Sequence, residues 1–340
     1  MKSASVFFLS MLFVAAPDLD VAQVGEPAMA LPKQELKVQA KILRRGDFIA
    51  FGFGSVWMMS GNHLGRFNPA DNSAIDIPVE GAVGPYRGIA IGESAVWVPD
   101  IGSKTIFKVD PQANRVVMRI PADLSDSEGS IGVGAGAAWV VTMAGKKVTS
   151  KDYNRELSRF SASTGALEAT LQLPARGAAA IFDHGSVWVT GFNKNELYRV
   201  DPGTNRVVAT IALHERPRFL ASGEGSVWVV NQGDGTVQRI DASNNQLIAT
   251  IETGSAGGGG DIAVGGGFTW VTSREWPVIK IDAKNNQLVG KFDAWRGGRH
   301  GDVIRYGTGS MWVSGTSPFR IAAPNNFWRR PTLLGSSGIQ

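Results

Sequence analysis

Three side chains could carry acid–base chemistry: His300, Asp302 and Asp47. An imidazole titrates near neutrality and a carboxylate can fix its tautomer, so this set reads as a base with its orienting groups, or as weak ligands for a divalent cation. The corresponding activity is that of a metal-assisted lyase or lactone hydrolase acting on a lactone or an acidic carbohydrate. A second set suits binding. Arg87, Arg176, Arg218, Arg299 and Arg274 supply guanidinium forks that match carboxylate or phosphate oxygens bidentately. Trp276 and Trp295 add aromatic faces beside cations, a combination that stacks on sugars or bases. Other chemistries are missing from the sequence. The absence of Cys removes disulfides, thiolate metal sites and thiol nucleophiles, and no G-x-S-x-G elbow, H-E-x-x-H or Walker loop occurs. The glycine-rich stretch GSAGGGGD at 254–261 lacks the GK[ST] ending of a phosphate loop and reads as a connection.

What must position these residues is a repeat. Seven of the 10 Trp sit in one local pattern: Trp57, Trp97, Trp139, Trp188, Trp228, Trp270 and Trp312, at spacings of 40, 42, 49, 40, 42 and 42 residues. A period of ~40–45 with several short strands per unit predicts an all-β chain, a β-propeller of seven four-stranded blades. The fourth unit shows the strands in order: an apolar run at 178–182, an alternating strand around Trp188, ELYRVD, the turn PG, then RVVATI. Turns of the DPGTN kind between third and fourth strands use Asp and Asn to bond backbone locally and to tolerate left-handed conformations. The 49-residue spacing comes from a polar, basic insertion at 144–154, which reads as a long solvated loop. Residues 35–43 match a fourth strand, whereas FWRRPTLL near the C-terminus makes a poor one, so the N-terminal segment is expected to close the last blade.

Composition agrees. Hydrophobic residues at 43% are enough for a core, and 42 Gly with only 19% charged residues favour turns and strands over long amphipathic helices. A net charge of +4 allows an anionic partner without the dense Lys/Arg clustering of a dedicated nucleic-acid binder. Lys2 followed by an apolar run at 6–16, too short to span a bilayer, reads as a signal peptide. The expected organisation is therefore a leader over residues 1–30, removed somewhere between 16 and 30, and a propeller over 31–340. The location is periplasmic or secreted, with no membrane span.

WVTGFNKNELYRVDPGTNRVVATI (188–211) and WVVNQGDGTVQRIDASNNQLIATI (228–251) resemble the YVTN-type propeller repeat, and all seven units share that resemblance. It implies the fold; proteins of this type serve surface-layer, periplasmic binding and occasional enzymatic roles. The virginiamycin B lyases are a neighbouring family of seven-bladed propellers, and similarity to them would imply a metal-assisted elimination using clustered His and Glu. This chain has four His, none in an H-x-E or H-x-H pair.

In a propeller the loops leading into the innermost strands crowd one mouth of the central channel. Ten residues before each repeat Trp stand Asp47, Arg87, Gly129, Ala178, Arg218, Gly260 and Asp302; one or two residues earlier come Arg45, Tyr86, Glu128, Arg176, Arg216, Arg299 and His300. Repeats that agree elsewhere differ here. With Asp261 counted among the carboxylates, Arg outnumbers them at this mouth. The expectation is a non-catalytic propeller binding a small anionic or carbohydrate ligand, or a protein partner, at an Arg-rich rim. The lyase or hydrolase using His300, Asp302 and Asp47, with a divalent cation in the channel as its only cofactor, is the second reading. Binding of single-stranded nucleic acid by the basic rim, Trp276 and Trp295 is the third.

Overall fold

A computed structural model of the chain describes residues 34–35, 38–41, 46, 48–83, 88–124, 131–143, 155–293, 303–314 and 319–322. By its internal contacts the chain divides into Met1–Leu31 and Pro32–Gln340; the expected leader, its cleavage sites and the 144–154 insertion lie outside the described residues. All described secondary structure is strand, without helix. The period-2 patterning and short turn signals allow nothing else.

The strands form six four-stranded antiparallel sheets and one of five strands, arranged as a β-propeller. In the fourth sheet Gly177–Asp183, Ser186–Gly191, Glu196–Asp201 and Arg206–Ala212 follow one another as hairpins, and in the fifth Pro217–Gly223, Ser226–Asn231, Thr236–Asp241 and Leu247–Glu252 do the same. The burial pattern gives each strand its place. The second strand Ser186–Gly191 is buried at every residue, the third strand Glu196–Asp201 mixes buried and half-buried positions, and fourth strands such as Arg206–Ala212 are mostly exposed. First strands of neighbouring sheets touch one another in turn, including Ile304–Gly307 against Ile49–Gly52. A Cβ on Gly132 would stand 2.8 Å from the backbone of Ile181, so glycine permits that inner approach. The first hairpin of each sheet is tight: Glu224 (φ 52°) and Gly225 (φ 70°) are both left-handed, as a two-residue type I′ turn requires.

The core lies between sheets. Trp57, Trp97, Trp139, Trp188 and Trp228 are fully buried, and Trp270 and Trp312 nearly so. Each buries ~200 Å² of side chain, about 5 kcal/mol of transfer free energy. In six of the sheets the indole N–H donates to the carbonyl five residues earlier, at 2.9–3.3 Å. Opposite each of these six Trp on the third strand stands a cation (Arg66, Lys108, Arg159, Arg199, Arg239 or Lys280), 4.9–5.3 Å from the ring centre. The Arg then reaches the next sheet: Nη1 of Arg66, Arg159, Arg199 and Arg239 donates to Oδ1 of Asn114, Asn205, Asn245 and Asn286 at 2.9–3.2 Å. Those Asn occupy left-handed turn positions with φ of 50–66°. The third-to-fourth-strand turn is thus a docking element between sheets as well as a local reversal.

The N-terminal segment departs from expectation. Its described residues pair at two different sheets: Gln34–Glu35 pairs in parallel with Gln287–Asp293 at the edge of the sixth sheet, making it five-stranded, and Val38–Lys41 pairs antiparallel with Phe319–Ala322 in the last sheet. The physical reason is the open edge. Gln287–Asp293 presents backbone groups without a ladder partner, and two residues of passing chain cover part of that row.

Candidate functional site

The loops that lead into first strands meet the loops joining second to third strands on one rim, and Asn side chains tie them. Asn193 Oδ1 accepts the Arg176 N–H at 2.9 Å, while the Arg176 carbonyl accepts the Phe192 N–H at 2.9 Å. One sheet on, Asn195 Oδ1 accepts the Arg216 N–H at 3.0 Å. These bonds bring two guanidinium groups onto one ring: Arg176 lies 4.8 Å and Arg216 5.3 Å from the centre of Phe192. Arg216 is exposed and has φ of 56°, an uncommon state for a non-Gly residue that costs on the order of 1 kcal/mol. Held by Asn195 and by the bond its own carbonyl accepts from the Gln232 N–H, that strain sits where the rim side chain is presented.

Beside Arg216 stands a dyad that the sequence motifs miss. His214 Nδ1 lies 2.7 Å from Asp234 Oδ2, and the His214 N–H donates to Gln238 Oε1 at 2.7 Å. The other Asp234 oxygen accepts both the N–H and the hydroxyl of Thr236, at 3.0 and 2.9 Å. Partial burial alone would raise the Asp234 carboxyl, but the bonds from Thr236 and His214 outweigh it and hold the group below its ordinary range. An ionised Asp234 makes His214 Nδ1 the donor, leaving Nε2 for a ligand. The available signal was positional: six residues after the repeat Trp, the chain reads Lys194 in the fourth unit, Asp234 in the fifth and Trp276 in the sixth.

The remaining expected residues are more dispersed. Arg218 is half-buried with its guanidinium 5.3 Å from the Phe219 ring, and its carbonyl accepts the Thr190 hydroxyl at 2.8 Å. Trp276, in the second-to-third-strand loop of the sixth sheet, is half-buried against the core. Its N–H donates to Ser273 Oγ at 2.9 Å and Lys291 Nζ stands 5.6 Å from its ring. Arg274 is exposed two residues away. The glycine-rich stretch docks on this rim as a connection: Gly257 N–H donates to the Gln232 carbonyl, and Gln232 Nε2 to the Gly259 carbonyl at 3.1 Å. Arg87, Arg299, Trp295, His300, Asp302 and Asp47 lie outside the described residues, as do Arg45, Tyr86 and Glu128.

Asp261 does not join the rim. It is 2% exposed, on the wall of a central cavity of about 300 Å³, where its carboxylate pairs with Arg305 of the next sheet. Burial pushes the Asp261 carboxyl up while Arg305 opposes the rise. Among the described residues no group of three or more His, Asp or Glu is placed to hold a metal ion. The arrangement can therefore offer flat, donor-rich cations at the rim and one ion pair on the wall of the central cavity. Compared with known proteins, the chain matches no protein-family model and no curated sequence.

Proposed function

We propose that the protein is a closed seven-bladed β-propeller, periplasmic or secreted, that binds an anionic ligand at the rim over its fourth and fifth blades. The five-stranded sheet counts as one blade in this reading, with Val38–Lys41 as the outer strand of the last. The observation that carries the binding function is the pair of guanidinium groups sharing Phe192. Two guanidinium groups on one ring concentrate planar positive charge at one point of the rim, a spacing suited to carboxylates or an acidic sugar chain. The ligand class is a carboxylate-bearing small molecule, an acidic glycan or an acidic protein surface.

Titration of polygalacturonate fragments, with neutral dextran fragments as control, tests this. Arg216→Asn removes the charge with a residue that tolerates the left-handed backbone. Each charge-assisted bond lost should weaken polygalacturonate binding by about tenfold or more, in Arg216→Asn and in Arg176→Gln alike. Binding unchanged in both variants would overturn the rim site, and tight binding of single-stranded oligonucleotides with a steep salt dependence would replace it.

A further inference from the structure

The charged pair inside the channel has no structural duty that the other repeats share. Seven residues before the repeat Trp, where the last unit has Arg305, the other six carry Ala, Gly or Ile; nine before it, where the sixth unit has Asp261, the others carry Phe, Gly, Ser, Ala or Val. Those neutral pairs of sheets pack without an ion pair, and burying two charges costs more than burying the apolar residues that serve elsewhere. The cavity reaches the lower end of the volumes that hold small molecules; its lining residues are mostly aliphatic and aromatic, including Ile89, Ile131, Ile181 and Phe219, but the surface they present to it is more polar than apolar.

The geometry points to a binding site in this cavity for a small, uncharged molecule whose carbonyl oxygen is taken by Arg305. Arg305 Nη1 donates to Asp261 and to the Ile304 carbonyl at 2.7 Å, while Asp261 Oδ2 also accepts the Ile304 N–H at 3.3 Å. A guanidinium carries five N–H donors. Nε and Nη2 make no hydrogen bond among the described residues, and the side chain keeps 30% exposure where it lines the cavity, against 3% for Asp261. Asp261 and the Ile304 carbonyl thus hold Nη1, and Nε and Nη2 stay without a hydrogen bond among the described residues on a side chain that lines the cavity. The charge balance selects the ligand. Arg305 and Asp261 sum to zero, so a carboxylate would place a second negative charge beside the buried Asp261, whereas an ester, lactone, ketone or amide oxygen accepts from Nε and Nη2 at no such cost.

Three probes of similar shape separate the terms on the full chain by ligand-observed NMR: acetophenone, ethylbenzene and benzoate. Acetophenone is expected to bind at least about tenfold tighter than ethylbenzene, the value of one charge-assisted hydrogen bond, and benzoate more weakly than acetophenone. The double variant Asp261→Ala with Arg305→Ala places in both positions a residue other repeats use there, so it should fold, keep ethylbenzene and lose the preference for acetophenone. In the unaltered protein the Arg305 Nε–H resonance should shift with acetophenone and stay put with ethylbenzene, which decides the matter without any variant. Arg216→Asn should leave all three affinities unchanged, so loss of the rim site and loss of this one are separate results. Equal affinity for acetophenone and ethylbenzene, tighter binding of benzoate, or an unmoved Arg305 resonance would each overturn the assignment.

Discussion

Sheets four and five are nearly interchangeable on their outer side and distinct on their inner side. Outward, Trp188, Arg199 and Asn245 superpose in role on Trp228, Arg239 and Asn286: a buried indole, a guanidinium on its face and an Asn of the following sheet clasping that guanidinium. At the rim the same two units place Ala178 against Arg218, Pro174 against His214 and Lys194 against Asp234. Repetition marks what every sheet interface needs. Divergence marks positions released from that need: Asp261 and Arg305 are two of them, and Arg176 and Arg216, equivalent in the two units, meet on Phe192 where the fifth unit has Gln232.

The largest expected effect tests the repeated side. Trp228→Ala removes a fully buried indole between sheets and should cost about 3–5 kcal/mol of stability, read as a shift of the urea midpoint. Trp276→Ala, a half-buried Trp outside the pattern, should cost about 1–2 kcal/mol by the same measurement, since half the apolar transfer is lost and no closed cavity remains. Equal costs would dissolve the distinction between repeat Trp and rim Trp.

Next comes the clasp. Arg239 stacks on Trp228 at 4.9 Å, donates through Nε to Ser226 at 2.8 Å and through Nη1 to the Ala283 carbonyl and Asn286. Arg239→Met keeps the apolar stem and should lose about 2–3 kcal/mol; Asn286→Ala should lose about 1–2 kcal/mol from the bond and the left-handed backbone together. Because the two groups touch, the double variant should cost less than the sum by about 1 kcal/mol. Strict additivity would mean that the turn and the arginine stabilise independently, and the clasp would be decoration.

The all-β propeller arrangement was legible because period and pattern are written in residues that each interface reuses: Trp every 40 to 49 positions, alternation around it, Asp and Asn at the turns. The rim was legible only as a place. Aligning units showed that Arg176 and Arg216 stand at equivalent positions, but not that one Phe192 would lie between reach of both, because ring stacking depends on loop shapes set by Asn193 and Asn195. His214 and Asp234, 20 residues apart, carry no spacing motif; only the packing of two loops joins them. Asp261 was misplaced for a related reason. One residue separates the rim position Gly260 from Asp261 at the entrance to the strand Ile262–Gly265, and that single step leads to burial beside Arg305.

The smallest effect concerns the turns themselves. Asp201 Oδ1 accepts the Thr204 hydroxyl and N–H, both at 2.7 Å; Asp241 accepts the same groups of Ser243, and Asp110 the N–H groups of Ala113 and Gln112. These bonds hold all three carboxyls below their ordinary range, with the Thr204 hydroxyl, the Ser243 hydroxyl and the Ala113 N–H the leading causes in turn. A carboxyl depressed by folding adds stability that is present above its unfolded value of about 3.9 and is lost as pH falls through the lower folded value. All three are only half-buried and open to solvent, so each contribution is small and screened. Replacing Asp110, Asp201 and Asp241 by Asn keeps an acceptor oxygen in each turn and removes the titration. The triple variant should therefore melt slightly earlier than the parent at neutral pH, and lose less of its melting temperature between about pH 5 and about pH 3. If the two acid limbs run parallel, the turn carboxylates contribute geometry alone, and the repeated side of each sheet is held by its Trp and Arg.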